Sequence, residues 1–200
     1  MRQVTGRSSN NSTSKASIRL SSGGRFFSAS TFEGMAADGG VDVIIDTARV
    51  TLIPEQMAGT TSPEQFLAIT GQSPLADEVA VLSSAVDGKI AVLAVNKEAL
   101  EALTTHFGEN LQITSPLLDN RYSHGRALAI EVNENICYLR LYDNGLKVAE
   151  AIEVENNDEL LYYVANLLNL TQMGSDIPIY IIGSKKAYKL LKKYYTVICE

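Results

Sequence analysis

Residues 127–152 constrain the fold of this chain most. They read as three short strands in a row, Ala127–Val132, Ile136–Asp143 and Leu146–Ile152. The turns between them are Asn133-Glu134-Asn135 and Asp143-Asn144-Gly145, the residue types that tight hairpins use. A helical run follows at Asn157–Leu170, where Leu160, Leu161, Val164, Leu167 and Leu168 recur at helical spacing and are expected to be buried. Asn156 or Asn157 is its expected cap, with Asp158 and Glu159 set favourably against the positive end of the helix dipole. An apolar strand, Ile177–Ile182, then ends on Gly183. A helix over 184–193 starts at Ser184, and a last strand-like run covers Thr196–Cys199.

The first half is read the same way. Residues 1–15, MRQVTGRSSNNSTSK, are too polar to offset their ordering entropy, so a mobile arm is expected. Ala16–Leu20 reads as a strand, Ser21-Ser22-Gly23-Gly24 as a turn and Arg25–Ser30 as the returning strand, an earlier copy of the opening hairpin. Residues 31–40 read as a loop. Val41–Ile53 is a strand pair or one bent strand. Ser62-Pro63-Glu64 starts a helix that Gly71 stops. Glu78–Ser84 and Lys89–Val95 flank the turn Val86-Asp87-Gly88. Asn96 caps a helix over Lys97–Phe107 with Ala99, Leu100, Leu103 and Phe107 on one face, and Leu111–Ser115 is a further strand.

Composition excludes several function classes. A net charge of −6 and a pI near 5.0 argue against general nucleic-acid binding, which needs clustered cations. The dense basic stretch, Lys185–Lys193, stands beside Tyr188, Tyr194 and Tyr195; it reads as a solvated helix face or as an anion or partner site. Cys137 and Cys199 read as buried, reduced spectators, and His106 and His124 are too isolated for a zinc site. No apolar stretch of about 18 residues exists, so no membrane insertion is expected, and no signal-peptide core is visible. The expected location is the cytoplasm.

Three antiparallel strands followed by helix, strand and helix is the plan of one half of a ribonuclease H-like or actin-like domain. The expected fold class is therefore α/β: two related lobes, each a mixed sheet opening on antiparallel strands and flanked by helices, at 16–118 and 127–200. A doubly wound nucleotide fold would alternate strand and helix from the start. The segments SIRLSSGGRFFSAS (17–30), NNDELLYYVANLLNL (156–170) and IPIYIIGSKKAYKLLKKYY (177–195) resemble an uncharacterised bacterial family with an actin-like ATPase fold. More distantly, the chain is similar to the cytoplasmic actin-like proteins of pilus-assembly and type II secretion machines. Second halves of that fold carry a further helix beyond the last strand, so the sequence ending at Glu200 reads as an incomplete C-terminus or as lacking that helix.

The resemblance implies a nucleotide site. In actin-like ATPases two hairpins grip the phosphates, and each starts with Asp-x-Gly at a strand end. The carboxylates hold metal and water, and the glycine lets the backbone approach the anion. Here Arg19-Leu20-Ser21 and Glu131-Val132-Asn133 stand in those places, and the adenosine-side motif is reduced to Gly183-Ser184. The nucleotide-binding candidates are thus Arg19, Ser21, Ser22, Gly23, Gly24, Glu131, Asn133, Gly183 and Ser184. No catalytic residue and no metal ligand set is assigned, because arginine is a permanent cation and Asn133 adds a side chain where the backbone should be bare. The expectation is a non-catalytic module acting on a protein partner or a second copy of itself. The alternative is a weak nucleotide-binding ATPase, using ATP and Mg, in which Glu131 holds the metal and Arg19 meets a phosphate.

Overall fold

A computed structural model describes residues 16–28 and 40–200. The expected arm at 1–15 lies outside the described residues, as does the loop at 31–40 except Gly40. The first half builds two sheets. β1 (Ala16–Leu20), β2 (Val41–Ile45) and β6 (Leu111–Thr114) lie in the order β1-β2-β6, all parallel. β3 (Val50–Pro54), β4 (Glu78–Leu82) and β5 (Lys89–Asn96) form an antiparallel sheet in the order β3-β5-β4.

One expectation fails here. Arg25–Ser30 is not a strand returning beside β1: Ser22–Gly24 is a single helical turn, Arg25 and Phe26 continue it, and Ala29 and Ser30 lie outside the described residues. Gly23 and Gly24 take φ of 66° and 86°, and the Gly23 amide donates to the Asp46 carbonyl at 2.6 Å. The chain is thereby rolled toward the end of β2, and β1 pairs with β2 in parallel. The first half accordingly does not open on antiparallel strands. Of the two readings of Val41–Ile53, the structure has two strands and not one bent strand: the segment breaks at Asp46–Arg49, and the strands belong to different sheets instead of pairing with each other.

The second half follows the expected element order. β7 (Arg126–Asn133), β8 (Ile136–Asp143) and β9 (Leu146–Glu153) are antiparallel; β10 (Ile179–Ile182) joins β7 in parallel and β11 (Val197–Cys199) joins β10. The sheet order is β11-β10-β7-β8-β9. β10 starts two residues later than Ile177, past Pro178, which lacks an amide to give a ladder.

Among the described residues four α-helices cover these sheets at the bounds their caps dictate. α1 (Pro63–Ile69) is capped by Ser62, α2 (Lys97–Phe107) by Asn96, α3 (Asn157–Leu170) by Asn156 and α4 (Lys185–Leu191) by Ser184. α3 buries Leu160, Val164, Leu167 and Leu168 against Leu128, Ile130, Leu139 and Ile181, while Leu161 is half-buried. Fully burying one such side chain is worth about 1.5–3 kcal/mol, so this face, more than helix propensity, holds α3 in place.

Among the described strands β5, β7 and β8 are buried on both faces, and β5 and β8 join the halves. In β5, Ala91, Leu93 and Val95 face one core, while Ile90, Val92 and Ala94 face Phe66 and Leu67 of α1. In β8, Cys137, Leu139 and Leu141 face α3 and α4, while Ile136 and Tyr138 enter the core built by β1, β2 and α2. The even-numbered face of β8 therefore looks into the first half, and this face carries Arg140. Cys137 is buried as expected; Cys199 is exposed.

Candidate functional site

The C-terminal ends of β1, β2 and β7 converge, and alternation decides what they present. Ile18 and Leu20 point into the core, so Arg19 points the other way, on the exposed side of the strand. Asp46 follows the last residue of β2, its amide held by the Leu20 carbonyl at 2.8 Å. Its carboxylate is 1% exposed and receives both prongs of Arg19: Nε donates to Oδ2 at 2.6 Å and Nη2 to Oδ1 at 2.7 Å. The remaining Arg19 nitrogen, Nη1, donates to Glu131 Oε1 on β7 at 2.6 Å. Asn133 Nδ2 donates to Asp46 Oδ2 at 2.5 Å. Hydrogen bonds from Arg19 to Asp46, and then to Glu131, raise the guanidinium pKa further despite desolvation, so Arg19 stays charged.

The network continues inward. Arg140 is fully buried in the middle of β8, with Nη2 3.5 Å from Glu131 Oε2. Its Nη1 donates to the Pro116 carbonyl and lies 3.2 Å from Asp119 Oδ2. Asp119 also accepts from Arg121 Nε at 2.8 Å and from the Arg121 amide at 3.1 Å. Burial works to raise the Asp119 carboxyl, but the Arg121 bonds outweigh it and hold it below the usual carboxylate range. Tyr142 Oη donates to the Asp119 carbonyl at 2.6 Å, and Tyr138 Oη to that of Thr47 at 3.4 Å. Three arginines (19, 121, 140) thus alternate with three carboxylates (46, 119, 131), and their formal charges cancel. A cavity of about 320 Å³ opens beside them, lined by Arg19, Ile44, Ser115, Asp119, Arg121 and Glu131 among others.

Arg19, Glu131 and Asn133 therefore come together, gathered around Asp46. The turn Ser21-Ser22-Gly23-Gly24 lies beside them, but its amides face inward. Gly23 N donates to Asp46 O, Gly24 N to Ser21 O at 2.9 Å and Arg25 N to Ser22 O at 3.2 Å. A Cβ on Gly23 would sit 3.2 Å from the Ala94 carbonyl, and one on Gly24 2.8 Å from Ala99 Cβ. The two glycines are thus needed to pack the turn on β5 and α2. Gly183, at φ 86°, lies so close to the Val132 carbonyl that a Cβ would overlap it. Ser184 Oγ accepts from Ala187 N at 3.2 Å as the cap of α4.

Asp46, Asp119, Arg121 and Arg140 carry no sequence motif. One signal does exist for Arg140. It interrupts the otherwise apolar or aromatic run Ile136–Tyr142, at a strand position where a charge must find a partner. Among the described residues, no group of three or more His, Cys, Asp or Glu could hold a metal ion. Burial pushes the Cys137 thiol up to about 12, which removes it as a nucleophile. No helix among the described residues is long and apolar enough to cross a membrane.

No known family profile matches the chain, and no curated protein does. Solved structures do. A Bacteroides thetaiotaomicron protein with an actin-like ATPase fold and unknown function is 14% identical at a TM-score of 0.68, over 80% of this chain and 68% of that one. At a TM-score of 0.44 and 16% identity stands the cytoplasmic domain of EpsL, an inner membrane component of the type II secretion system of Vibrio cholerae, over 84% of this chain and 82% of that one. The PilM–PilN type IV pilus biogenesis complex matches at 0.45 and 11%, over 80% of this chain and 68% of that one. At such identities the likeness is one of fold. This chain has the actin-like ATPase fold.

Proposed function

We propose that this chain is a non-catalytic actin-like module that works through contacts with another protein. The observation that carries the reading is the Arg19 fork, which binds Asp46 and Glu131 at once and ties β1 and β2 to β7. In the fold's ATPases the corresponding strand ends offer carboxylates to a metal and bare backbone to a phosphate. Here residue 19 is a cation, and both nearby carboxylates are already ion-paired, Asp46 with Arg19 and Glu131 with Arg19 and Arg140. The Gly23 and Gly24 amides donate to carbonyls of the chain itself, so they are not a cradle for an anion. These residues do not fit a magnesium nucleotide, and no hydrolytic step is assigned to them.

The test is phosphate release with ATP and magnesium. The wild-type protein is expected to release phosphate no faster than buffer. Loss of a metal-organising carboxylate removes several kcal/mol of transition-state stabilisation, which is orders of magnitude in rate. Metal-dependent turnover that disappears in Glu131→Ala would overturn the reading.

A further inference from the structure

α4 and the turn after it place five lysines, Lys185, Lys186, Lys189, Lys192 and Lys193, in solvent. Lys185, Lys189 and Lys192 share one helical side, opposite the buried pair Ala187 and Leu191. Among the described residues none of the five forms an ion pair. Lys192 lies over the Tyr188 ring, 5.1 Å from its centre. A chain of net charge −6 thus concentrates unneutralised positive charge on one short face. The described arginines behave oppositely: Arg19, Arg25, Arg49, Arg121, Arg126 and Arg140 are all ion-paired.

A groove adjoins this face. Its cavity of about 390 Å³ lies between the end of α3, the loop 172–175 and Tyr195, with Leu168 and Met173 in its wall. Tyr195, in the wall of the groove, follows Lys192-Lys193-Tyr194 directly in the chain, which brings the end of the lysine run within three residues of it. Leu170 and Tyr194 are exposed at 72% and 60%. Leu168, Met173 and Tyr195 share the groove wall with Asn169, Gln172 and Ser175, a mixture of apolar and polar surface such as protein-binding sites present.

We propose that the lysine face of α4 and this groove dock an acidic segment of another protein, its carboxylates on the lysines and an apolar anchor side chain in the groove. The proposal rests on the reading of the chain as a protein-interaction module. Complementary charge favours an acidic occupant and speeds encounter. A concave groove favours a polypeptide over a bilayer, which is flat at this scale and has no side chain to insert. Nucleic acid is disfavoured by the negative charge of the rest of the chain.

The experiment is a fluorescence-anisotropy titration of the full chain with a fluorescein-labelled synthetic peptide of Glu and Asp around a central Leu-Phe pair. Binding is expected at low ionic strength, weakening about tenfold or more as salt rises to about 0.5 M. The double variant Lys189→Glu with Lys193→Glu, and separately Ala165→Trp, which fills the groove, are each expected to lose about tenfold or more in affinity. Unchanged circular dichroism and melting keep those losses from being losses of fold. No binding by wild type, binding that ignores the lysine reversal, or co-sedimentation with phosphatidylserine vesicles in place of peptide binding would each overturn the proposal. The two readings fail separately: ATP turnover would sink the non-catalytic reading without touching the peptide titration, and a failed titration would leave the ion-paired cleft as it stands.

Discussion

Arg19 and Glu131 stand 112 positions apart in the chain, yet Nη1 and Oε1 are 2.6 Å apart, with the second oxygen of Glu131 turned to Arg140. Arg19→Met leaves Asp46 without a cation and leaves Glu131 with Arg140 alone. Breaking a buried pair from one side is expensive, but Arg19 is 37% exposed and water moderates the loss, so about 1–3 kcal/mol is expected. Adding Asp46→Asn should recover part of it, because the mutated groups share one network. Urea unfolding of the two single variants and the double variant measures this; strictly additive losses would show that Arg19 and Asp46 do not act as one network.

Gly183→Ala tests how closely β10 approaches β7. The added methyl meets the Val132 carbonyl at a backbone φ that side chains rarely adopt. A loss of about 2 kcal/mol or more is expected in chemical denaturation. The same substitution at Gly59, where nothing lies within 4 Å of the added atom, carries only the φ penalty and should be the milder of the two.

Local signals were legible and non-local ones were not. The caps Ser62, Asn96, Asn156 and Ser184 each declare a helix start by a side-chain oxygen three residues or fewer before its amide partner. The turn at Asp87-Gly88 takes the positive φ its sequence suggests. The partner of β1 is a different matter. Ser-Ser-Gly-Gly suits a hairpin and a helical turn equally, and what selects the turn is a hydrogen bond from Gly23 to Asp46, in a strand end more than twenty residues on. The site divides along the same line. Arg19, Glu131 and Asn133 could be nominated from their strand-end positions, whereas Asp46, Asp119 and Arg140 acquire meaning only when β8 turns its even face to the first half.

Glu78 predicts an acid-labile element. It is buried; burial raises its pKa, but bonds from Arg49 and the Leu75 amide outweigh that and bring it below the ordinary 4.5. A depressed folded-state pKa stabilises the fold at pH values above the unfolded pKa, and that contribution fades as the pH falls from there through the folded value. Wild type should therefore lose stability below about pH 4.5 more steeply than Glu78→Gln, which lacks this proton uptake. Parallel pH–stability curves for the two would contradict it.

Leu160 and Leu161 are neighbours on α3 with different surroundings. Leu160 is 1% exposed and Leu161 half-buried. Leu160→Ala should destabilise by about 2–4 kcal/mol, and Leu161→Ala by clearly less, because water already reaches part of it. Equal losses would mean the helix sits rotated on its sheet.

On the proposed reading, intramolecular ion pairs stand in the place where this fold grips phosphates, and a thermal-shift titration with Mg-ATP reads whether that place still takes a nucleotide. A ligand at 100 times its dissociation constant stabilises by about 2.7 kcal/mol, and in a chain of this length each kcal/mol is worth about 2–4 °C. The melting temperature is predicted to stay where it is across the titration, in wild type and in Arg19→Met alike. A saturable rise of about 5–10 °C in wild type, absent without magnesium, would contradict the account.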